Sequence, residues 1–170
     1  MVQIPFKYHP NVWELGVFKH SRSKTNPPKC ECCGTPTEYY LNYIYADEEP
    51  SCICPSCVAS GQAADKYNGC FIAESEYSKI NGEEKAQELL YCTPGYSSWK
   101  GEHWLACCED YCAFIGYVGK EDLEELGIGE EAFSRGFKSF RDVLSRHGAY
   151  RGYLFKCLHC NAYHVWVDFD

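Results

Sequence analysis

No stretch of the 170 residues approaches the run of about eighteen apolar residues that a membrane-spanning helix needs. The start, Met1-Val2-Gln3-Ile4-Pro5-Phe6-Lys7-Tyr8, lacks the basic lead and apolar block of a secretory signal, so a cytosolic protein is expected. Methionine occurs once. The apolar mass is carried instead by fourteen Tyr, nine Phe and four Trp, rings that need a fixed geometry and often end in a polar tip, which argues against disorder. Positive charge is scarce: 16 Lys and Arg stand against 24 Asp and Glu, a formal −8, which disfavours general nucleic-acid binding and favours a basic partner. Also missing are a Gly-rich phosphate loop, a Gly-x-Ser-x-Gly elbow, His-Glu-x-x-His, and His-x-Glu followed by Pro-Cys-x-x-Cys. Phosphate-loop, hydrolase-elbow, zinc-protease and zinc-deaminase chemistries lose their usual signatures.

Cysteine is what the chain has in excess. Thirteen is an odd number, and the thiols sit in tight pairs rather than the dispersed framework of a disulfide-stapled secreted domain, so reducing conditions and metal are the consistent pair. Cys30/Cys33 and Cys54/Cys57 are two Cys-x-x-Cys knuckles separated by twenty residues, the spacing of a four-thiolate zinc site. Two residues between paired cysteines let both sulfurs point at one ion about 2.3 Å away. Cys32 and Cys52 are the local competitors for these positions. A third knuckle, Cys157/Cys160, needs two more thiols, and Cys108 with Cys112 are the expected donors, with Cys107, His103, His159 and His164 close enough in sequence to substitute. Two zinc ions are therefore expected. Four thiolates leave each ion a net −2, which takes the formal −8 to −12. Exposed redox dithiols are not expected, because paired knuckles arrive together here; Cys32, Cys52, Cys70, Cys92 and Cys107 read as small buried side chains.

The pattern of elements is that of a small α+β protein with treble-clef or ribbon-like zinc knuckles, short antiparallel strands and a few helices. One compact domain over residues 1–170 is expected, with a zinc lobe around 30–70 and a second around 102–170. Residues 1–29 read as an irregular lead-in. The run Tyr39-Tyr40-Leu41-Asn42-Tyr43-Ile44-Tyr45 favours short strands, and the stretch after Cys57 can start a helix with Gly61 tolerated inside it. Glu83–Leu90 reads as a helix capped by Asn81 or Ser78. Phe133, Phe137, Phe140 and Leu144 recur at spacings of four, three and four, which predicts an amphipathic helix with Arg135, Lys138, Arg141 and Arg146 on its outer face. The last twenty residues read as a hairpin with the third knuckle at its tip.

Phe6-Lys7-Tyr8-His9-Pro10, Cys30-Glu31-Cys32-Cys33-Gly34, Ile53-Cys54-Pro55-Ser56-Cys57, Thr93-Pro94-Gly95-Tyr96 and Tyr153-Leu154-Phe155-Lys156-Cys157-Leu158-His159-Cys160 together resemble the CbrC family, over nearly the whole chain. The resemblance implies three Cys-x-x-Cys motifs and a link to tolerance of a DNA-cleaving colicin, without catalytic residues to carry over. Cys108 and Cys112 are not among those motifs. The leading expectation is a non-enzymatic zinc protein that gives tolerance or immunity to a bacterial nuclease toxin by binding a basic protein, with the acidic loop Asp47, Glu48 and Glu49 as contact groups and steering by opposite charge. Two alternatives stand beside it. A nucleic-acid-associated zinc module would use the basic face with Tyr150 and Tyr153, and a zinc-dependent hydrolase would need an open metal position.

Overall fold

Six glycines and several Pro-containing turns in the first hundred residues keep the elements of this part of the chain short. The computed structural model describes residues 3–23, 25–134 and 136–169. The chain is mixed α+β and divides into two units, Met1–Ala73 with Gly82–Tyr96 and Glu74–Asn81 with Ser97–Asp170. Among the described residues no helix is long and apolar enough to cross a membrane.

In the first unit, strand β1 (Lys19–His20) pairs antiparallel with β2 (Tyr39–Tyr40), and single bridges join Lys29 to Pro36, Leu41 to Ile53 and Tyr45 to Cys70. The expected strand-forming run therefore yields one two-residue strand followed by isolated bridges. Helix α1 (Pro55–Ala59) starts directly off the second knuckle, with Pro55 in the first turn, where its missing N–H costs nothing. Gly61, at φ +75°, separates it from α2 (Gln62–Tyr67). The glycine is thus a break between two helices rather than a weak position inside one. Helix α3 (Glu83–Cys92) begins at Gly82, without a side-chain cap from Asn81 or Ser78; Glu83 and Glu84 in its first turn complement the dipole instead. The N-terminal lead-in is irregular, as expected, but it is core material: Tyr8, His9 and Val12 are fully buried and Phe18 nearly so.

The second unit is built on a three-stranded antiparallel sheet in the order β7-β8-β9, from β7 (Ala113–Val118), β8 (Tyr150–Lys156) and β9 (Tyr163–Phe169). Before it run β3 (Glu74–Ser75), which pairs parallel with β4 (His103–Trp104), and the hairpin of β5 (Ala106–Cys107) with β6 (Asp110–Tyr111). Helix α4 (Lys120–Glu125) follows β7. One sheet face carries Val118, Leu154, Val165 and Val167 against Leu123, Ile128, Phe133 and Leu144.

The amphipathic helix over 133–146 is not what forms. Glu130–Ala132 and Lys138–Val143 are 3-10 turns, Gly136 between them sits at φ +96°, and Phe133 pairs as a parallel bridge beside Val165. Its periodic apolar residues do pack on the sheet, with Phe133 and Leu144 buried and Phe137 and Phe140 partly so. A left-handed glycine cannot be threaded by a continuous right-handed helix, so packing satisfied the pattern through two short turns. Arg135 lies outside the described residues.

Candidate metal centres

A Cys-x-x-Cys knuckle at the tip of a hairpin must reverse the chain within one residue of its second cysteine, which calls for a left-handed backbone. Gly34 after Cys33 and Asn161 after Cys160 supply it, at φ +76° and +62°. The two knuckles share further details. Cys30 N–H donates to Thr35 O and Cys157 N–H to Ala162 O, each at 2.9 Å and each spanning five residues. Antiparallel partners close both at the next step out, Lys29 with Pro36 and Lys156 with Tyr163. They are the same local structure built twice, once in each unit.

What each knuckle faces differs. In the first unit it meets the start of a helix: Cys54 is the N-cap of α1, and Cys57 lies one turn inside it. Glu31 N–H donates to Cys52 O at 2.8 Å, and Cys54 N–H to Cys30 Sγ at 3.2 Å, which ties the two halves together in a treble-clef arrangement. Lys66 from α2 reaches Glu31 O at 2.5 Å and steadies the knuckle from outside. In the second unit the knuckle at the β8–β9 tip meets the β5–β6 hairpin. Its two-residue turn, Cys108-Glu109, has both residues at positive φ, +53° and +60°, as a hairpin turn matched to strand twist requires.

The metal-ligating atoms of Cys30, Cys33, Cys54 and Cys57 all lie within 4.8 Å of one another, and so do those of Cys107, Cys108, Cys157 and Cys160. Four sulfurs at tetrahedral corners about 2.3 Å from an ion are about 3.8 Å apart. The separations are 3.8 Å for Cys30–Cys57, 3.9 Å for Cys33–Cys54, 3.7 Å for Cys107–Cys108 and 3.9 Å for Cys107–Cys160. All are far longer than a disulfide bond of about 2.05 Å. Each group could hold one metal ion. The thiols' acidities fit that use. Hydrogen bonding with Thr35 lowers Cys33 to about 6, while burial pushes Cys54 up to about 11 and Cys57 higher still. In the second group burial also acts on Cys157, but the N–H groups of Cys160 and His159 outweigh it and bring the thiol to about 6, whereas burial raises Cys107. Cys33 and Cys157 thus ionise readily while Cys54, Cys57 and Cys107 resist, as expected of thiols whose joint ionisation needs a cation.

Residues 4–169 match the uncharacterised protein family UPF0167. The chain belongs to that family. It is similar to a UPF0167 protein of Pseudomonas aeruginosa, 34% identical over 180 residues that cover 96% of each chain. UPF0167 proteins of Mycobacterium bovis and Mycobacterium tuberculosis are each 31% identical over 178 residues, covering 96% of this chain and 92% of theirs. No solved structure matches it significantly.

This UPF0167 chain places Cys108, Cys157 and Cys160 together as expected, but with Cys107 in place of Cys112. The reason is strand geometry. Cys107 stands opposite Asp110 in the hairpin, and Cys112 is a further two residues, about 7 Å, along the strand from Asp110. Cys112 is instead fully buried, its N–H bonded to Leu105 O and its carbonyl accepting Trp104 Nε1–H at 2.9 Å. A two-residue turn at positive φ was the signal for Cys107-Cys108, and Cys-Glu does not advertise one as Asn-Gly would. Cys32 and Cys52 flank the first group without joining it, and Cys70 and Cys92 lie elsewhere in the first unit. Among the described residues no histidine joins the second group. His159 Nε2 is 3.0 Å from the buried Asp110 carboxylate, His103 stacks on Trp166 at 4.0 Å, and His164 lies half-buried on β9. Asp47, Glu48 and Glu49 form an exposed bend; Glu48 and Glu49 edge a hollow shared with Glu31, Lys66 and Tyr67.

Proposed function

We propose that this protein is a non-enzymatic, cytoplasmic two-zinc protein that gives tolerance to a nuclease toxin of the DNA-cleaving colicin type by binding a basic protein surface. The observation that carries the zinc reading is the pair of four-sulfur groups, each gathered within 4.8 Å, with separations of 3.7–3.9 Å that are close to the edge of a zinc–thiolate tetrahedron. Four thiolates fill a zinc shell and leave no position for substrate water, which favours a structural over a hydrolytic role. The resemblance to the CbrC family supports the toxin context. The formal −8 and the exposed acids at Asp47, Glu48 and Glu49 support a cationic partner.

The nucleic-acid alternative loses support at its proposed contact groups. Arg146 is committed to Asp122 through Nε and Nη2, at 2.7 and 2.5 Å, and Tyr153 is fully buried, so its ring offers no face to a base.

Native mass spectrometry of protein purified without chelator tests the metal reading: two zinc ions are expected, and none would overturn it. Titration with the isolated nuclease domain of a DNA-cleaving colicin tests the partner. Binding that tightens as salt falls is expected. The triple variant D47N/E48Q/E49Q should slow association several-fold at low ionic strength and flatten its salt dependence; unchanged kinetics would remove this loop from the interface.

A further inference from the structure

The two centres share a donor set and a knuckle, and differ in everything that decides whether an ion can leave. We propose that the second group, Cys107, Cys108, Cys157 and Cys160, is an exchangeable site that releases and regains a soft divalent ion while its unit stays folded, and that the first group holds its ion permanently. This rests on the reading that both groups bind zinc.

Access is the first difference. A competing ligand removes zinc from a four-thiolate shell by approaching the ion past its sulfurs. In the first group Cys30, Cys54 and Cys57 are 1%, 7% and 2% exposed, and only Cys33 faces solvent. In the second, Cys108 and Cys160 are exposed and Cys107 is half-buried, leaving Cys157 as the single buried sulfur.

The second difference is what holds the cysteines in place when the ion is gone. Around the first group, the paired segments are two-residue strands and single bridges, and α1 is only five residues long. An ion there cross-links segments whose own pairing is confined to short contacts such as Glu31 N–H to Cys52 O and the Leu41–Ile53 bridge. The second group hangs from scaffolds that need no metal. β8 and β9 keep seven paired positions behind the Cys157–Cys160 knuckle, and the sheet has its own apolar core. Cys107 and Cys108 ride on a closed hairpin. These two tips are also tied to each other without metal, because Asp110 of β6, 3% exposed, holds His159 Nε2 of the knuckle at 3.0 Å. His159 N–H in turn lies 3.4 Å from Cys157 Sγ. The sulfurs of the emptied site therefore stay gathered. On release, zinc passes as Zn2+ to the acceptor and the thiolates take protons from solvent; on rebinding, these protons are lost again.

The test is to mix the two-zinc protein with the chromophoric chelator 4-(2-pyridylazo)resorcinol at neutral pH, follow zinc transfer by absorbance, and stop portions with iodoacetamide for peptide mapping. Release in two phases at least ten-fold apart in rate is expected. In the one-zinc intermediate, Cys108 and Cys160 should be alkylated while Cys30, Cys54 and Cys57 remain protected. Amide exchange in β8 and β9 should stay slow, and added Zn2+ should restore the second ion. The C160S variant should lose the fast phase and keep the slow one. Release of both ions at one rate, early alkylation of the first group, or exchange of β8 amides on loss of the first ion would overturn the proposal. Protein that carries no zinc when purified would instead overturn the metal reading itself, a result visible before any chelator is added.

Discussion

His9 shows what burial does to one side chain. It is 0% exposed in the first unit, its Nδ1 3.0 Å from Pro94 O, and burial lowers its pKa to about 4. This contact also joins two stretches of the sequence, Phe6–Pro10 and Thr93–Tyr96, that spacing alone gives no reason to connect. The unfolded chain accepts a proton near pH 6.5 and the folded one only near 4, so the contribution is complete above about pH 6.5 and is lost as pH falls toward 4. The loss should reach about 3 kcal/mol across that window. Urea midpoints measured from pH 7 to 4.5 should fall, and His9→Gln should flatten that slope relative to the parent; parallel slopes would show that His9 does not set it. Asn161 offers a second check at this scale. At φ +62°, Asn161→Val should cost about 1–2 kcal/mol and Asn161→Gly little, read as shifts in thermal midpoint of the metal-loaded protein.

Elements in this protein are shaped by close approaches as much as by propensity. Gly152 lies within β8 where an added Cβ would come 2.8 Å from both Cγ2 and O of Val118 and 3.1 Å from Leu144 Cδ1. Gly152→Ala should therefore cost about 1–3 kcal/mol through overpacking, although alanine is otherwise a harmless strand residue. Helix α4 depends on Asp122, whose Oδ2 accepts the Gly119 N–H at 2.7 Å and whose carboxylate is held below its usual range by Arg146. Asp122→Asn should lower stability by about 1 kcal/mol at neutral pH. The parent's advantage should be present above the ordinary carboxylate range and vanish as pH falls through the lowered pKa, which chemical denaturation at neutral pH and in progressively more acid solution would separate. The same scale explains the failed helix over 133–146. A spacing of four, three and four records which side chains are buried, and Gly136 decides that the backbone reaches those positions through turns.

At the scale of the whole molecule, each unit carries one four-sulfur group, but the two depend on it differently. Cys57→Ser should deplete folded protein and expose amides in the segments around the first group, whose pairings are short. Cys160→Ser should leave exchange in β8 and β9 close to that of the parent. Hydrogen exchange on both variants checks this, and equal disruption of both units would contradict it.

The sequence by itself determined the chemistry: thirteen cysteines, six of them in three Cys-x-x-Cys pairs, Gly34 and Asn161 where the first and last of these pairs turn, and strand-forming aromatics on either side of the last pair. Those features are local, and a knuckle's geometry is set within about six residues. The pairing of Cys30/Cys33 with Cys54/Cys57 was legible for the same reason, since a short intervening segment leaves few other partners. Only the tertiary structure decided which thiols complete the second group. Forty-four residues or more lie between them, and the choice of Cys107 over Cys112 depends on hairpin register, in which one step of two residues moves a sulfur about 7 Å and turns a metal-facing group into a core one.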